Sequence, residues 1–301
     1  MPNAAPDNLT TFWDGLDGVR RAVNERLEAW LPQATQPPCR LHQAMRYSVF
    51  AGGKRVRPIL AVLACRAVGG TDARAMPAAC AIECIHTYSL IHDDLPAMDD
   101  DDFRRGRPSN HKAFDEATAI LAGDALLTVA FDIISRQMDK PGVASRVVQE
   151  VAAAAGWAGM VGGQMADLEA EGADPDADTL HFIHAHKTGA LIRASVLCGG
   201  LAGGAAEPQL TALGTYARCV GLAFQIADDL LDETATSEQL GKTAGKDKAA
   251  KKLTYPALYG LEASRTEARR LAAEAIGALD PLGPEAAPLA RLAEFIVSRS
   301  S

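Results

Sequence analysis

The stretch LIHDDLPAMDDDD at residues 90–102 places a dense run of aspartates directly after an apolar segment. A second stretch, FQIADDLLDE at residues 224–233, repeats the arrangement. In both stretches the apolar residues fit the three- and four-residue spacing of one helix face. The sequence therefore predicts two helices that each end in an acidic cluster.

Helical periodicity extends over nearly the whole chain. Aromatic residues make up only 5% of the sequence and β-branched runs are few, so we expect an all-α fold with little or no sheet. The breaks are short and rich in proline and glycine, which favours one domain over residues 1–301. The predicted helices cover residues 16–31, 39–50, 58–68, 77–94, 114–138, 145–165, 179–201, 207–232, 255–279 and 287–298.

Composition argues against several classes of partner. The net charge of −8 gives no general reason to bind nucleic acid or anionic lipid, so an anionic substrate would need local positive charge. The longest uncharged stretch, 151–166, is too short and too rich in glycine to span a membrane. No basic segment followed by an apolar one begins the chain, and we expect a cytoplasmic protein. The six cysteines lack a CxxC pair, which is typical of reduced core thiols.

The second acidic cluster suits a divalent cation. Asp228 and Asp232 are four residues apart, about 40° around a helix, so their carboxylates share one face, and Asp229 flanks them. Like charges packed in this way repel each other, and a cation would neutralise them. A merely solvated acidic helix end remains an equal alternative at this point.

The first cluster needs a bend in the chain. Asp93 and Asp99 are six residues apart and would face about 120° away from each other on a straight helix. Pro96 lacks a backbone donor and clashes with the preceding turn, so a helix end there could bring Asp99 round toward Asp93. An EF-hand is excluded, because its alternating ligands, central glycine and closing glutamate are absent.

Basic residues accompany both clusters. Mg²⁺ held by a few carboxylates completes its shell with water and substrate phosphates, which points to a diphosphate ligand. The segment GGKRVRP at 52–58 supplies Lys54, Arg55 and Arg57 after a glycine turn, and Arg104 and Arg105 follow the first acidic run. Simple charge compensation of the aspartates is the alternative for the last two residues.

With these motifs the chain resembles the trans-isoprenyl diphosphate synthases, and within that family the bacterial farnesyl diphosphate synthases. The resemblance covers almost the whole chain. It rests on MRYSVFAGGKRVRP at 45–58, ECIHTYSLIHDDLPAMDDDDFRRGRPSNH at 83–111, AILAGDALL at 119–127, HKTGALIRAS at 186–195, GLAFQIADDLLD at 221–232 and TYPAL at 254–258.

The resemblance implies a helical bundle around a deep pocket, with the two aspartate clusters facing each other at its mouth and three Mg²⁺ ions between them. Mn²⁺ is a possible substitute. Members of the family ionise an allylic diphosphate, add the carbocation to isopentenyl diphosphate and lose a proton. Isoprenoid diphosphates are then the small-molecule partners, and a homodimer packed through helices is expected.

The resemblance also assigns roles to individual residues. The magnesium positions are Asp93, Asp94, Asp99, Asp228, Asp229 and Asp232. The isopentenyl diphosphate site is Lys54, Arg57, His86 and Arg105, although a histidine in a helix is often a core residue. The allylic diphosphate site is Arg104, Lys187, Thr188, Gln225, Lys242 and Lys252, with Lys251 as the alternative to Lys252, and the cation-stabilising groups are Lys187, Thr188 and Gln225.

Product length in the family depends on the bulk of the pocket floor. Tyr88 and Ser89 match that floor, and Tyr88 lies five residues before Asp93, roughly 7.5 Å deeper along the helix axis. An aromatic ring there implies the fifteen-carbon farnesyl diphosphate as product, with a twenty-carbon or ten-carbon product as the alternative. A terpene cyclase, which needs no second diphosphate site, and a noncatalytic subunit of a heteromeric prenyltransferase are rival interpretations.

Overall fold

The computed structural model describes residues 12–172, 176–234 and 253–298, and it confirms the all-α prediction. The helices are α1 Asp17–Trp30, α2 Cys39–Val49, α3 Val56–Ala67, α4 Asp72–Asp93, α5 Asn110–Ala113, α6 Glu116–Gln137, α7 Pro141–Ala155, α8 Met160–Ala170, α9 Ala177–Ile183, α10 Ala190–Gly203, α11 Glu207–Thr234, α12 Tyr255–Tyr259, α13 Leu261–Ala278 and α14 Ala287–Ser298. A π-helical turn, His184–Gly189, joins α9 to α10, and the 3₁₀ turns Asp280–Leu282 and Pro284–Ala286 precede α14.

Two predicted helices are each divided at glycines in the structure, and a third, 179–201, is interrupted by the π-helical turn. The segment predicted at 145–165 becomes α7 and α8, which meet at Gly156 and Gly159. The backbone at Gly159 lies so close to the carbonyl oxygen of Ala154 that a Cβ atom would be 2.2 Å from it. The segment predicted at 255–279 is divided at Gly260, whose φ of +80° lies in the region that favours glycine.

A short hairpin follows the first acidic run, where the sequence predicted little or no sheet. β1 Phe103–Arg104 pairs antiparallel with β2 Arg107–Pro108. The two residues between them, Arg105 and Gly106, have φ of +55° and +73°, as a type I′ turn requires. This turn directs the side chain of Arg104 back toward Asp94 at the end of α4 and that of Arg105 toward the carbonyl oxygen of Gly52.

The centre of the bundle is built from α3, α4 and α10. Small residues let these helices approach closely: a Cβ atom at Gly199 of α10 would lie 2.0 Å from the carbonyl oxygen of Ala61 in α3. Helix α4 is buried along most of its length and packs against α3, α6 and α10. Its carboxyl end therefore has a fixed position from which the first aspartate cluster projects.

Helix α6 combines an apolar composition with partial exposure. Its length and composition would suffice to cross a membrane, and 39% of its most apolar window is buried in the bundle. The buried side includes Ala119, Ala122 and Leu126, which pack toward the core, whereas Ile120 and Leu121 are exposed.

Candidate active site

The chain folds back on itself directly after α4. The helix ends at Asp93, and the N–H of Asp99 then donates to the carbonyl oxygen of Asp93 at 2.8 Å. The N–H of Asp101 likewise donates to the carbonyl oxygen of Asp94 at 3.2 Å. The expected bend at Pro96 is thus present, and it removes the angular separation that a straight helix would impose.

Asp94 and Arg104 form a largely buried ion pair in this segment. Asp94 is buried, and the Nε of Arg104 donates to its Oδ1 at 2.9 Å. The Nη2 of Arg104 also donates to Asp101 at 3.1 Å. Arg104 therefore compensates the charge of two aspartates, which is the alternative that the sequence left open. It also lies beside the predicted metal positions.

The positive charges near Asp93 do not fully offset the cost of burying its carboxylate. Burial raises the pKa of Asp93 to about 6, the charge of Asp99 raises it further, and Lys187 and Arg104 oppose the shift. A charged carboxylate in this position is stabilised by an added cation. Paired hard oxygen ligands with incomplete compensation fit a divalent ion such as Mg²⁺.

The glycine turn before α3 packs against Arg105. Gly52 and Gly53 have φ of +93° and +112°, and a Cβ atom at Gly53 would lie 2.6 Å from the guanidinium carbon of Arg105. The Nη1 of Arg105 donates to the carbonyl oxygen of Gly52. Two basic motifs that are about fifty residues apart in the sequence are thereby brought together, with Lys54 exposed beside them.

His86 and Arg57 lie in the same basic group. Burial holds the pKa of His86 well below its ordinary value, and the charges of Arg57, Arg105 and Arg104 add to the effect. Burial also lowers the pKa of Arg57, against the opposing charges of Glu83 and Asp228. Within the described part of the chain the Nε of Arg57 is buried without a hydrogen-bond partner. A neutral imidazole beside crowded guanidinium groups suits an anionic ligand.

Arg55, from the same segment, serves the fold instead. Its Nη1 donates to Glu83 at 2.6 Å, its Nη2 to the carbonyl oxygen of Val49 at 2.6 Å and its Nε to Asn24 at 3.0 Å. The side chains of Arg55 and Glu83 are 3% and 2% exposed. Sequence spacing alone could not separate this buried arginine from its neighbours.

Lys187 lies in the π-helical turn, and its Nζ donates to Asp167 of α8 at 2.5 Å. The turn can approach α8 because residue 163 is glycine: a Cβ atom there would lie 2.1 Å from the backbone nitrogen of Lys187. Gln164, one residue on, has a buried Nε2 without a partner among the described residues. Gln164 and Asp167 were not among the residues predicted from the sequence, although polar residues after a glycine pair in an apolar stretch indicated a special position.

The second acidic cluster lies on an unbroken helix. Helix α11 continues past Asp232, so Asp228 and Asp232 occupy one face as predicted. Asp229 accepts the N–H of Tyr255 at 2.8 Å and lies 3.4 Å from the Nε2 of His184, so it connects α11 with α12 and with the π-helical turn. The charge of Asp228 acts on Arg57, which places this cluster near the basic group.

The sequence pattern of the Polyprenyl synthetase family matches residues 38–283. The chain belongs to this family. It is 50% identical over 290 residues to a chloroplastic geranylgeranyl pyrophosphate synthase of Catharanthus roseus, a match that covers 94% of this chain and 80% of the relative. It is 51% identical over 283 residues to a dimethylallyltranstransferase of Fischerella ambigua, with 92% and 81% coverage. A solved FPP/GFPP synthase of Zymomonas mobilis is 40% identical, with a TM-score of 0.85 and coverage of 96% and 99%.

Several of the described candidate residues lie near the carboxyl ends of α4 and α11. Gln225 and Thr188 are half-buried, and Gln225 lies one turn before Asp229 on α11. Lys242, Lys251 and Lys252 lie outside the described residues, so their predicted roles stay predictions. The roles of the described residues also stay predictions. The structure does bring predicted arginines close to predicted aspartates, as in Arg104 with Asp94.

The predicted pocket floor, Tyr88, lies five residues before Asp93 on α4. Tyr88 is 7% exposed, and burial raises the pKa of its hydroxyl to about 12, with the charge of Asp93 adding to the shift. Its ring meets His92 edge to face, with 5.8 Å between the ring centroids. The hydroxyl of Ser89 donates to the carbonyl oxygen of His86 at 3.0 Å, within its own helix.

A third acidic group lies outside the predicted set. Ligand atoms of Asp100, Asp102 and His111 are within 4.8 Å of one another. The Nζ of Lys112 already pairs with Asp102 at 2.8 Å, so part of the negative charge in this group is compensated.

Proposed function

We propose that this chain catalyses head-to-tail elongation of an allylic diphosphate by isopentenyl diphosphate, with release of diphosphate. Membership of the polyprenyl synthetase family supports prenyl transfer as the reaction class. The observation that carries the proposal is that a basic group, Arg57, Arg105 and the neutral His86, lies within electrostatic reach of both aspartate clusters, through Asp228 and Asp94. A terpene cyclase would have no use for a second anion site.

The basic group would hold isopentenyl diphosphate. Arg105 is fixed by its bond to Gly52, and Arg57 keeps a buried, unpaired N–H within the described structure. Guanidinium groups bind phosphate oxygens through charge-assisted hydrogen bonds and need no metal to do so. Lys54, exposed at the turn, would close the site from the solvent side.

The allylic diphosphate would lie between Arg104 and Lys187, both of which act electrostatically on Asp93. In the π-helical turn the hydrogen bonds run to the fifth residue, a geometry that often marks functional sites. The carbonyl oxygen of Lys187 and the hydroxyl of Thr188 would stabilise the allylic cation through their dipoles. Gln225 would support the same cation from α11.

The aspartates would hold magnesium. Asp93, Asp99 and Asp228 are the proposed ligands, with Asp94, Asp229 and Asp232 around them, for three Mg²⁺ ions or Mn²⁺ in their place. The raised pKa of Asp93 is the structural support, because a cation would restore its charged form. When bound, the ions supply Lewis-acid assistance to the departure of diphosphate.

For the product we propose twenty carbons. Seven curated relatives at 47% to 52% identity, over 93% or more of this chain, are geranylgeranyl pyrophosphate synthases or a large subunit of one. The fifteen-carbon product expected from the sequence therefore becomes the second candidate. The buried ring of Tyr88 favours that candidate, since an aromatic side chain below the aspartates restricts tail length.

Product analysis tests the proposal. Purified protein is incubated with Mg²⁺, isopentenyl diphosphate and either dimethylallyl, geranyl or farnesyl diphosphate, with a chelator as control. Chelator-sensitive elongation that ends at twenty carbons is the expected result, and an end at fifteen carbons would favour the second candidate. Consumption of an allylic diphosphate without isopentenyl diphosphate would favour the cyclase, and activity that requires an added partner chain would favour the noncatalytic subunit.

A further inference from the structure

The imidazole of His92 bridges α4 and α6. Its Nε2 lies 3.0 Å from the carbonyl oxygen of Ile120. A carbonyl oxygen only accepts hydrogen bonds, so Nε2 carries the proton in this contact. His92 immediately precedes Asp93, and the bridge therefore fixes the position of α6 beside the first aspartate cluster.

Gly123 of α6 provides the space for this bridge. A Cβ atom at residue 123 would lie 2.1, 2.6 and 2.9 Å from Nε2, Cδ2 and Cε1 of His92. Glycine in the middle of a long helix is unfavourable unless packing requires it. The imidazole lying against the bare backbone supplies that requirement.

Tyr88 is the other neighbour of the imidazole. It lies one helical turn before His92, and the two rings meet edge to face with an interplanar angle of 77°. Because Tyr88 is 93% buried, its ring has little freedom to turn unless a neighbour moves. The chain of contacts runs from Gly123 through His92 to Tyr88.

We propose that His92 and Gly123 are positioning residues for product length, because together they hold the Tyr88 ring at the floor of the tail pocket. This inference rests on the proposed elongation activity. Neither residue needs to touch the reacting atoms. Loss of the bridge would let the ring turn aside, so that the prenyl tail could grow by a further five-carbon unit.

The test compares product ratios of His92→Ala, His92→Gln, Tyr88→Ala and the double variant His92→Ala/Tyr88→Ala with those of the wild type. His92→Gln keeps an N–H donor for Ile120 but removes the ring that meets Tyr88. Each single variant should raise the ratio of the next longer product to the wild-type product by about threefold to tenfold. The double variant should shift no further than Tyr88→Ala, because His92 acts through Tyr88.

Gly123→Ala tests the same contacts from α6. In the wild-type background it should lengthen the product and lower the Tm, since the new Cβ atom displaces the imidazole. In the His92→Ala background Gly123→Ala should leave both the product length and the Tm unchanged, because the imidazole that the Cβ atom would strike is absent. Thr128→Ala on the same helix, where the hydroxyl bonds only within α6, is the matched control and should keep the wild-type product.

The outcomes separate the two proposals. A wild-type protein that elongates, together with active His92→Gln and Gly123→Ala variants that keep its product ratio, would overturn the positioning role alone. A double variant that shifts product length beyond Tyr88→Ala would overturn it as well. A wild-type protein that elongates no allylic diphosphate would instead overturn the proposed function.

Discussion

At the scale of single residues, the buried pair Arg55–Glu83 separates a structural role from a binding role. Glu83→Gln leaves the Arg55 guanidinium buried without its counter-charge, and we expect a loss of about 3–5 kcal/mol in the free energy of unfolding. Denaturant unfolding measures the loss. Glu150→Gln, which weakens a surface pair with Arg193, is the control and should cost under about 1 kcal/mol. An equal cost for both variants would contradict the prediction.

Buried thiols make the protein sensitive to alkali. Burial raises the pKa of the Cys84 thiol to about 12, with the charge of Glu83 adding to the shift, against an ordinary value near 9. Above pH 9 the unfolded chain loses the proton and the folded chain retains it, so the free energy of unfolding falls as pH rises toward 12. The contribution of one thiol is about 1.4 kcal/mol per pH unit.

The measurement is the free energy of unfolding between pH 8 and pH 11 for the wild type, Cys84→Ala and Cys39→Ala. Cys84→Ala should flatten the slope and Cys39→Ala, which removes an exposed thiol, should leave it unchanged. A parallel slope for all three proteins would show that Cys84 does not titrate with unfolding. The other buried thiols, Cys65, Cys80, Cys198 and Cys219, also have pKa values raised by burial, and they contribute to the slope that remains.

At the scale of elements, the π-helical turn depends on its contact with α8. Gly163→Ala would place a Cβ atom 2.1 Å from the backbone nitrogen of Lys187, so the turn that carries Lys187 and Thr188 must shift. A displacement of about 1 Å at a catalytic group can reduce the rate by about 100-fold. We therefore expect a fall in kcat of this order in single-turnover and steady-state assays.

The control for that variant is Gly277→Ala in α13, where no atom lies within 4 Å of the new Cβ atom. Alanine is the better helix former, so this variant should be as active as the wild type and up to about 1 kcal/mol more stable. If Gly163→Ala retained full kcat, Lys187 and Thr188 would have no positional role in the reaction.

Sequence periodicity predicted most helices because an apolar face must be buried, but it did not locate their ends. The helix boundaries inside 145–165 and 255–279 depend on a close backbone contact at Gly159 and on the positive φ of Gly260. The spacing of apolar residues does not reveal either feature. The bend at Pro96 followed from proline chemistry, and the structure confirms it. Arg55 pairs with Glu83, 28 residues away, and Asp167 pairs with Lys187, 20 residues away. Local spacing in the sequence could not reveal these contacts.

At the scale of the whole molecule, local charge opposes net charge. The chain carries a net charge of −8, yet burial and, in addition, the positive charges of the surrounding guanidinium groups lower the pKa of His86. An anion that binds between these guanidinium groups would offset the repulsion among their positive charges. Occupancy by inorganic diphosphate should therefore raise the Tm of the protein even without Mg²⁺, and Arg57→Gln should weaken the rise. Equal stabilisation of the wild type and Arg57→Gln would place the bound anion elsewhere.

The exposed side of α6 raises the question of assembly. Ile120 and Leu121 are 44% and 58% exposed on a helix that is largely apolar but also carries the exposed Asp124. We propose that a second copy of the chain covers this side, as a homodimer in which α6 packs against its counterpart. A twofold interface uses the same surface on both subunits, so one substitution changes it twice.

Leu121→Glu should therefore separate the dimer, because it places two carboxylates in an apolar contact. Sedimentation velocity at micromolar concentration should show a dimer for the wild type and a monomer for the variant. Ala263→Glu, which adds the same charge to an exposed position of α13, should remain dimeric. A wild-type protein that sediments as a monomer would overturn the homodimer, and a dimeric Leu121→Glu would place the contact on a different face.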